Sequence, residues 1–121
     1  MAKTVLVVDD SASMRQLVGF ALKSAGYEVV AAVHGKDALD KVNGAKVEMV
    51  VTDLNMPEMD GIELIRQLRA KPASKFTPIV MLTTESQETR KQQGKQAGAS
   101  GWLVKPFKPE ELVDIVKKFV K

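Results

Sequence analysis

Residues 50–61 read VVTDLNMPEMDG. Two valines and a threonine run straight into Asp53, and a loop punctuated by Pro57 and Gly61 follows. An apolar run of this length bounded by turn residues reads as a buried strand. Its end on a carboxylate poses the question of function, because such a group is either a helix cap or a piece of chemistry.

Working outward, four more runs of the same kind flank it. Strands are expected at Thr4–Val8, Glu28–Ala32, Met49–Thr52, Ile79–Thr83 and Gly101–Val104. Between them, apolar residues recur at helical spacing. Met14, Leu17, Val18, Ala21, Leu22 and Ala25 form one stripe, and Leu112, Ile115, Val116 and Phe119 another. Ala38, Leu39 and Val42, and Ile62, Ile65 and Leu68, form shorter ones. All are expected to pack into the core. Asp60-Gly61-Ile62-Glu63 has the form of a capping box with Asp in place of Ser/Thr. Pro109-Glu110-Glu111 places Pro at a first helical position and acids in the first turn. Gly26 is a helix stop.

Alternation of strands and helices points to a parallel sheet covered on both faces. VLVV, MVV and IVML are continuous apolar runs, as doubly buried strands should be. The second run carries Glu28, and the fifth is short and begins with Gly101, so these two suit the edges. The expected fold is α/β: a single doubly wound sheet of five parallel strands in the flavodoxin-like order 2-1-3-4-5, with five helices.

The chain has 121 residues, enough for one domain over 1–121 with one core. It is 45% apolar and 27% charged, the composition of an ordinary globular protein. It has no cysteine, which excludes disulfides, thiolate metal sites and a cysteine nucleophile. The opening MAKTVLVVDD is too short for a signal peptide or a membrane span. A cytoplasmic protein without membrane insertion is expected. Net charge is only +3, but Arg90, Lys91, Lys95, Lys105, Lys108, Lys117, Lys118 and Lys121 lean C-terminal. They read as a solvated face, or more sharply as a docking surface for an acidic partner. No basic run, aromatic-interleaved patch or zinc spacing supports DNA binding.

In an open parallel sheet, ligands bind beyond the C-terminal strand ends near the point where strand order reverses. Strand one ends in Asp9-Asp10, strand three in Asp53, strand four in Thr83-Thr84 and strand five in Lys105-Pro106. Three carboxylates, a hydroxyl and an ammonium therefore converge on one rim. Close carboxylate pairs repel by on the order of a few kcal/mol at surface-like dielectric, and a divalent cation relieves this. An oxygen-only donor set favours Mg²⁺ or Mn²⁺ with a phosphoryl group completing the shell. Asp9 and Asp10 would hold the metal, and Asp53 would be the nucleophile, forming an aspartyl-phosphate. The metal and Lys105 would neutralise the transferring group, Thr83 would hydrogen-bond it, and the Asn55 carbonyl would complete the metal shell. Singly, each residue has a plainer reading: a turn acid, a strand-end threonine, a solvated lysine. His34 reads as a surface histidine and the methionines as core filler. The joint placement at four strand ends is what carries weight.

VLVVDDSASMRQ, VVTDLNMPEMDGIEL, IVMLTTES and GASGWLVKPFKPEEL together resemble the receiver domain of two-component response regulators, over essentially the whole chain. With nothing after the domain, the resemblance is to the stand-alone, chemotaxis CheY-like type. CheY is itself a standard example of the 2-1-3-4-5 order, so that order is part of the resemblance and not a second line of support for it. The resemblance implies a phospho-accepting signalling domain, not an enzyme beyond self-directed phosphoryl transfer and autodephosphorylation. It implies a CheA-like histidine kinase as donor, a required Mg²⁺, phosphorylation of Asp53 and contact of Lys105 with the phosphoryl group. It also implies a cis Lys105–Pro106 peptide and an aromatic switch, with Thr83, at Trp102, a position that is commonly Tyr in chemotaxis regulators. Asn55 and Glu85 would tune hydrolysis. A phosphorylation-dependent partner such as the flagellar motor switch protein would dock on the face of helix four, strand five and helix five, and a phosphatase is a further candidate partner.

On this reading Thr83 moves toward the phosphoryl group and Trp102 turns into the space it leaves. Gly94, inside ETRKQQGKQAG, predicts a soft fourth helix unless it serves close packing. Two rivals stand on the same fold. An aspartate-nucleophile phosphohydrolase would want a second Asp where Asn55 stands. A flavin or nucleotide module would want a phosphate loop where Asp9-Asp10-Ser11 presents two negative charges. Within the favoured class, a phosphorelay shuttle or phosphate sink is the alternative to a motor-binding output.

Overall fold

Strand chemistry decides which strands are central. In the computed structural model, which describes residues 3–44, 46–84 and 88–120, β1 (Thr4–Val8), β3 (Met49–Asp53) and β4 (Ile79–Thr84) are buried almost throughout. β2 (Glu28–Ala32) buries only Ala32 fully, and β5 (Gly101–Lys105) is half-buried along its length. All pairings are parallel and the order is β2-β1-β3-β4-β5. The edges are β2, which carries Glu28, and β5, which begins with Gly101, as expected for a sheet covered on both faces. The observed strands extend the expected ones by a single residue at Asp53, Thr84 and Lys105, so these three side chains are anchored in strand backbone.

The period-two alternation of the strands sorts the core into two layers. Leu6, Val8, Val50, Ile79 and Met81 face one way, toward α2 (Gly35–Gly44) and α3 (Gly61–Ala70). Val5, Val7, Met49, Val51, Val80 and Leu82 face the other, toward α1 (Ala12–Ser24) and α5 (Pro109–Phe119). α4 (Glu88–Ala97) lies beside α3.

The stripes pack as expected with two corrections: Leu17 is 43% and Phe119 38% exposed. Leu17 lines an open groove between α1 and α5, and Phe119 lies by Gly101 on the edge strand β5, where no further strand covers it. Of the methionines, Met49, Met56 and Met81 are buried, while Met14 and Met59 are half-buried.

Local signals set the helix ends. The Ser11 side chain caps α1 by accepting from Met14 N at 3.3 Å, and Asp60 caps α3 by accepting from Glu63 N at 2.9 Å. Gly26 takes φ +98°, a left-handed conformation that closes α1 at little cost only for glycine. His34 does more than sit on the surface. Its Nδ1 accepts from Asp37 N at 3.1 Å, and Asp37 Oδ2 in turn accepts from Val33 N at 3.0 Å, so the pair caps the start of α2. Among the described residues, no helix is long and apolar enough to cross a membrane.

Candidate functional site: an acidic pocket at the sheet rim

Parallel register builds the pocket. Val8 pairs with Thr52, which sets Asp9, one residue on, level with Asp53. Asp53 pairs with Leu82, so Thr83 lies one step beyond, and Thr84 pairs with Lys105. The C-terminal ends of β1, β3, β4 and β5 thus meet at one rim, as the sequence predicts.

Asp9, Asp10 and Asp53 each offer a carboxylate oxygen, and the three atoms lie within 4.8 Å of one another. Asp9 and Asp53 are buried, at 1% and 7% exposure, whereas Asp10 is exposed. Lys105 Nζ reaches in from β5 to 3.1 Å from Asp53 Oδ1 and 3.8 Å from Asp9 Oδ2. Asp53 Oδ1 also accepts from Leu54 N at 2.9 Å, and Asp9 Oδ1 from Ser11 N at 2.9 Å. Burial pushes the Asp9 carboxyl above its ordinary value of 3.8. The Ser11 amide and Lys105 oppose that shift, and the charges of Asp53 and Asp10 add to it.

Among the described residues, two buried oxygens, Asp9 Oδ2 and Thr83 Oγ1, have no hydrogen-bond partner. Buried polar atoms are nearly always paired. Orphans on either side of a carboxylate cluster mark a pocket shaped for something that supplies charge and donors. An oxygen-only set with one exposed member, Asp10, suits a hard divalent cation that keeps waters, so the residues fit the ion their pattern implies.

The loop after Asp53 is held close. Gly61 N donates to Leu54 O at 2.9 Å, and a Cβ on Gly61 would lie 2.3 Å from the Asp53 carbonyl oxygen. Only glycine lets α3 begin so near the pocket floor. Asn55 is exposed on this loop at the rim. Glu85 lies outside the described residues. The Lys105–Pro106 peptide is cis.

Trp102 pairs with Met81 across β4 and β5, and Thr83 with Val104. Residues two apart in a strand share a face, so Thr83 and Trp102 are diagonal neighbours on the same side of the sheet. The Trp102 ring is half-buried, with Lys91 Nζ 4.8 Å and Lys95 Nζ 5.0 Å from its centroid. Of the cationic cluster read from the sequence, two members are therefore stacked on the aromatic side chain.

Sequence reasoning passed over Arg15, and read Arg90 only as part of a basic face, though both stand at the pocket's margins. Arg15 Nη1 donates to the Asp9 carbonyl at 2.7 Å, fixing the strand end from α1. Arg90 Nη2 lies 3.0 Å from Asp60 Oδ2. Arg15 sits six residues past Asp9, where the first turns of α1 fold back over the strand end, which is a legible if weak signal. For Arg90 the sequence offers none, since its partner is thirty residues away.

The response regulator receiver domain family matches residues 5–117, and the chain belongs to it. The chain is 41% identical to the transcriptional regulatory protein ResD of Bacillus subtilis over 117 residues, 97% of this chain but 48% of ResD. It thus spans about half the length of the curated transcriptional regulators it matches. It is also 41% identical over 110 residues to the chemotaxis protein CheY1 of Helicobacter pylori, 89% of each chain. Among solved structures, the chemotaxis protein CheY4 of Vibrio cholerae superposes with a TM-score of 0.94 at 47% identity, covering 99% of this chain and 100% of that one. The chain is a two-component response regulator receiver domain with a CheY-like fold, a class of signalling domains and not of classical enzymes.

Proposed function

We propose that Asp53 accepts a phosphoryl group from the phosphohistidine of a CheA-like histidine kinase, and that this domain works as a chemotaxis-type regulator in the cytoplasm, 1–121 forming one receiver unit. The observation that carries the reading is the Lys105–Asp53 contact at 3.1 Å inside a cluster of three carboxylates. One Asp53 carboxylate oxygen attacks phosphorus. The P–N bond breaks, and the histidine nitrogen keeps the electron pair and takes up a proton. Asp9, Asp10, one Asp53 oxygen and the Asn55 carbonyl would hold Mg²⁺, which when bound offsets the charge of the phosphoryl oxygens. Lys105 neutralises a further oxygen. The Thr83 hydroxyl, without a hydrogen-bond partner among the described residues, donates to another. Asn55, exposed at the rim, tunes how long the group survives, and the family resemblance implies the same role for Glu85.

The modification brings about −1.5 to −2 charge to the rim. Thr83 is drawn toward it, and Trp102, its diagonal neighbour, turns into the space vacated. The α4–β5–α5 face, bearing Lys91, Lys95 and Lys108, changes shape and engages an acidic partner such as the flagellar motor switch protein. Incubation with acetyl phosphate and Mg²⁺, followed by mass spectrometry and a binding assay against the switch protein, tests this. A labile adduct on Asp53 with tighter binding supports it. Binding indifferent to the adduct rejects the motor output and leaves a phosphorelay shuttle or phosphate sink.

A further inference from the structure

α4 is unlike its neighbours. Its sequence, ETRKQQGKQA, holds no large apolar residue, and its one buried residue is Gly94. α3, of the same length, buries Ile62, Leu64, Ile65 and Leu68. A ten-residue helix in water depends on packing of an apolar face for its stability. With no such face, α4 is positioned by a few point contacts. Gly94 sits against Met81, with no room for a Cβ. Past its C-terminal end, Arg69 donates to the Gly98 carbonyl through Nε at 3.0 Å and Nη2 at 2.9 Å. In its first turns Lys91 lies over Trp102 of β5, and the tie toward the loop after Asp53 is Arg90.

We propose that Arg90 is a positioning residue: its guanidinium braces the start of α4 against the loop that follows Asp53, so that helix and loop move together. Arg90 Nη2 donates to Asp60 Oδ2 at 3.0 Å and makes a long 3.5 Å contact with the Leu54 carbonyl. Both acceptors are fixed from the pocket side. Leu54 N donates to Asp53 Oδ1, Leu54 O accepts from Gly61 N, and the other Asp60 oxygen caps α3. A displacement of the Asp53 side chain therefore reaches α4 through the backbone of Leu54 and one ion pair.

The brace is also poised to let go. Arg90 Nε is buried with no hydrogen-bond partner among the described residues. An unsatisfied buried donor is costly, so the guanidinium holds its place without full compensation. Negative charge added one residue from Leu54 competes with Asp60 for the same cation. This last step rests on the phosphorylation reading above; the brace itself does not.

The test compares Arg90→Ala, Asp60→Asn and the double variant. Asn keeps the capping oxygen of residue 60 and removes the charge, so α3 stays capped. Without any phosphodonor, amide hydrogen exchange in α4 should rise about fivefold or more in each single variant, with α1 and α5 unchanged and no further rise in the double. Trp102, the only tryptophan, lies under Lys91 and Lys95 of α4, so its fluorescence should shift in the same variants. Exchange that is unchanged, that rises evenly over all helices, or that adds in the double variant overturns the brace. In a second arm, acetyl phosphate with Mg²⁺ should shift wild-type Trp102 emission, and Arg90→Ala should start nearer the shifted value. An Arg90→Ala baseline equal to wild type also overturns the brace. A wild-type protein that forms no adduct overturns the phosphorylation reading instead.

Discussion

Lys105 and Asp53 are 52 residues apart in the chain, and their side chains meet at 3.1 Å. The same ammonium stands 3.8 Å from buried Asp9. One cation thus serves two carboxylates, with Asp10 close by and, among the described residues, in no ion pair. The pocket is held in a state of electrostatic excess that a further positive charge relieves.

Chemistry at this contact separates the roles of its partners. Asp53→Asn should abolish the acid-stable, hydroxylamine-labile adduct formed with acetyl phosphate. Lys105→Ala should keep the nucleophile but slow adduct formation by about tenfold or more, since it removes a preorganised charge from the transferring group. Equal rates for Lys105→Ala and wild type, measured by mass spectrometry over time, would remove the lysine from the reaction.

Carboxylate crowding should appear in stability as well. Asp9→Asn keeps an acceptor for Ser11 N while removing a buried negative charge beside Asp53. The metal-free variant should be more stable than wild type by about 1 kcal/mol. Magnesium should raise the wild-type melting temperature and leave that of Asp9→Asn nearly unchanged. Calorimetry with and without the ion decides. An equal rise in both proteins would place the ion elsewhere.

Gly94 sets helix propensity against packing. On propensity alone, Gly94→Ala should stabilise α4 by about 1 kcal/mol. The structure reverses the sign: the new Cβ would lie 2.0 Å from Met81 Sδ, and Met81 is fully buried. The close-packing role therefore accounts for this glycine. Destabilisation by about 1–3 kcal/mol is expected in urea unfolding, with partial recovery on adding Met81→Val. A more stable Gly94→Ala protein would contradict the packing.

The start of α2 supplies a pH dependence. Burial raises the Asp37 carboxyl, but the Val33 amide and Lys41 lower it more, leaving it below 3.8 in the folded state. A depressed carboxyl contributes stability that is present above its unfolded value and lost as pH falls through the folded one. Wild type should therefore lose stability relative to Asp37→Asn on acidification below about pH 4. Parallel curves for the two proteins between neutral pH and pH 3, read by circular dichroism, would refute this.

Much of the molecule was legible in the residues. The five apolar runs, their edge or centre character and the caps at Asp60 and Pro109 are local signals, because pleat and helix periods and turn chemistry act within a few residues. The placement of Asp9, Asp53, Thr83 and Lys105 followed from those runs, since parallel strands end on one side. Tertiary structure alone decided what touches what. It left Leu17 and Phe119 exposed, set Gly94 on Met81, laid Lys91 and Lys95 on Trp102 and brought Arg90 to Asp60 across thirty residues. Such contacts depend on the angle and height at which one helix meets another. The energies that set them are spread over the whole core, and no short stretch of chain encodes them.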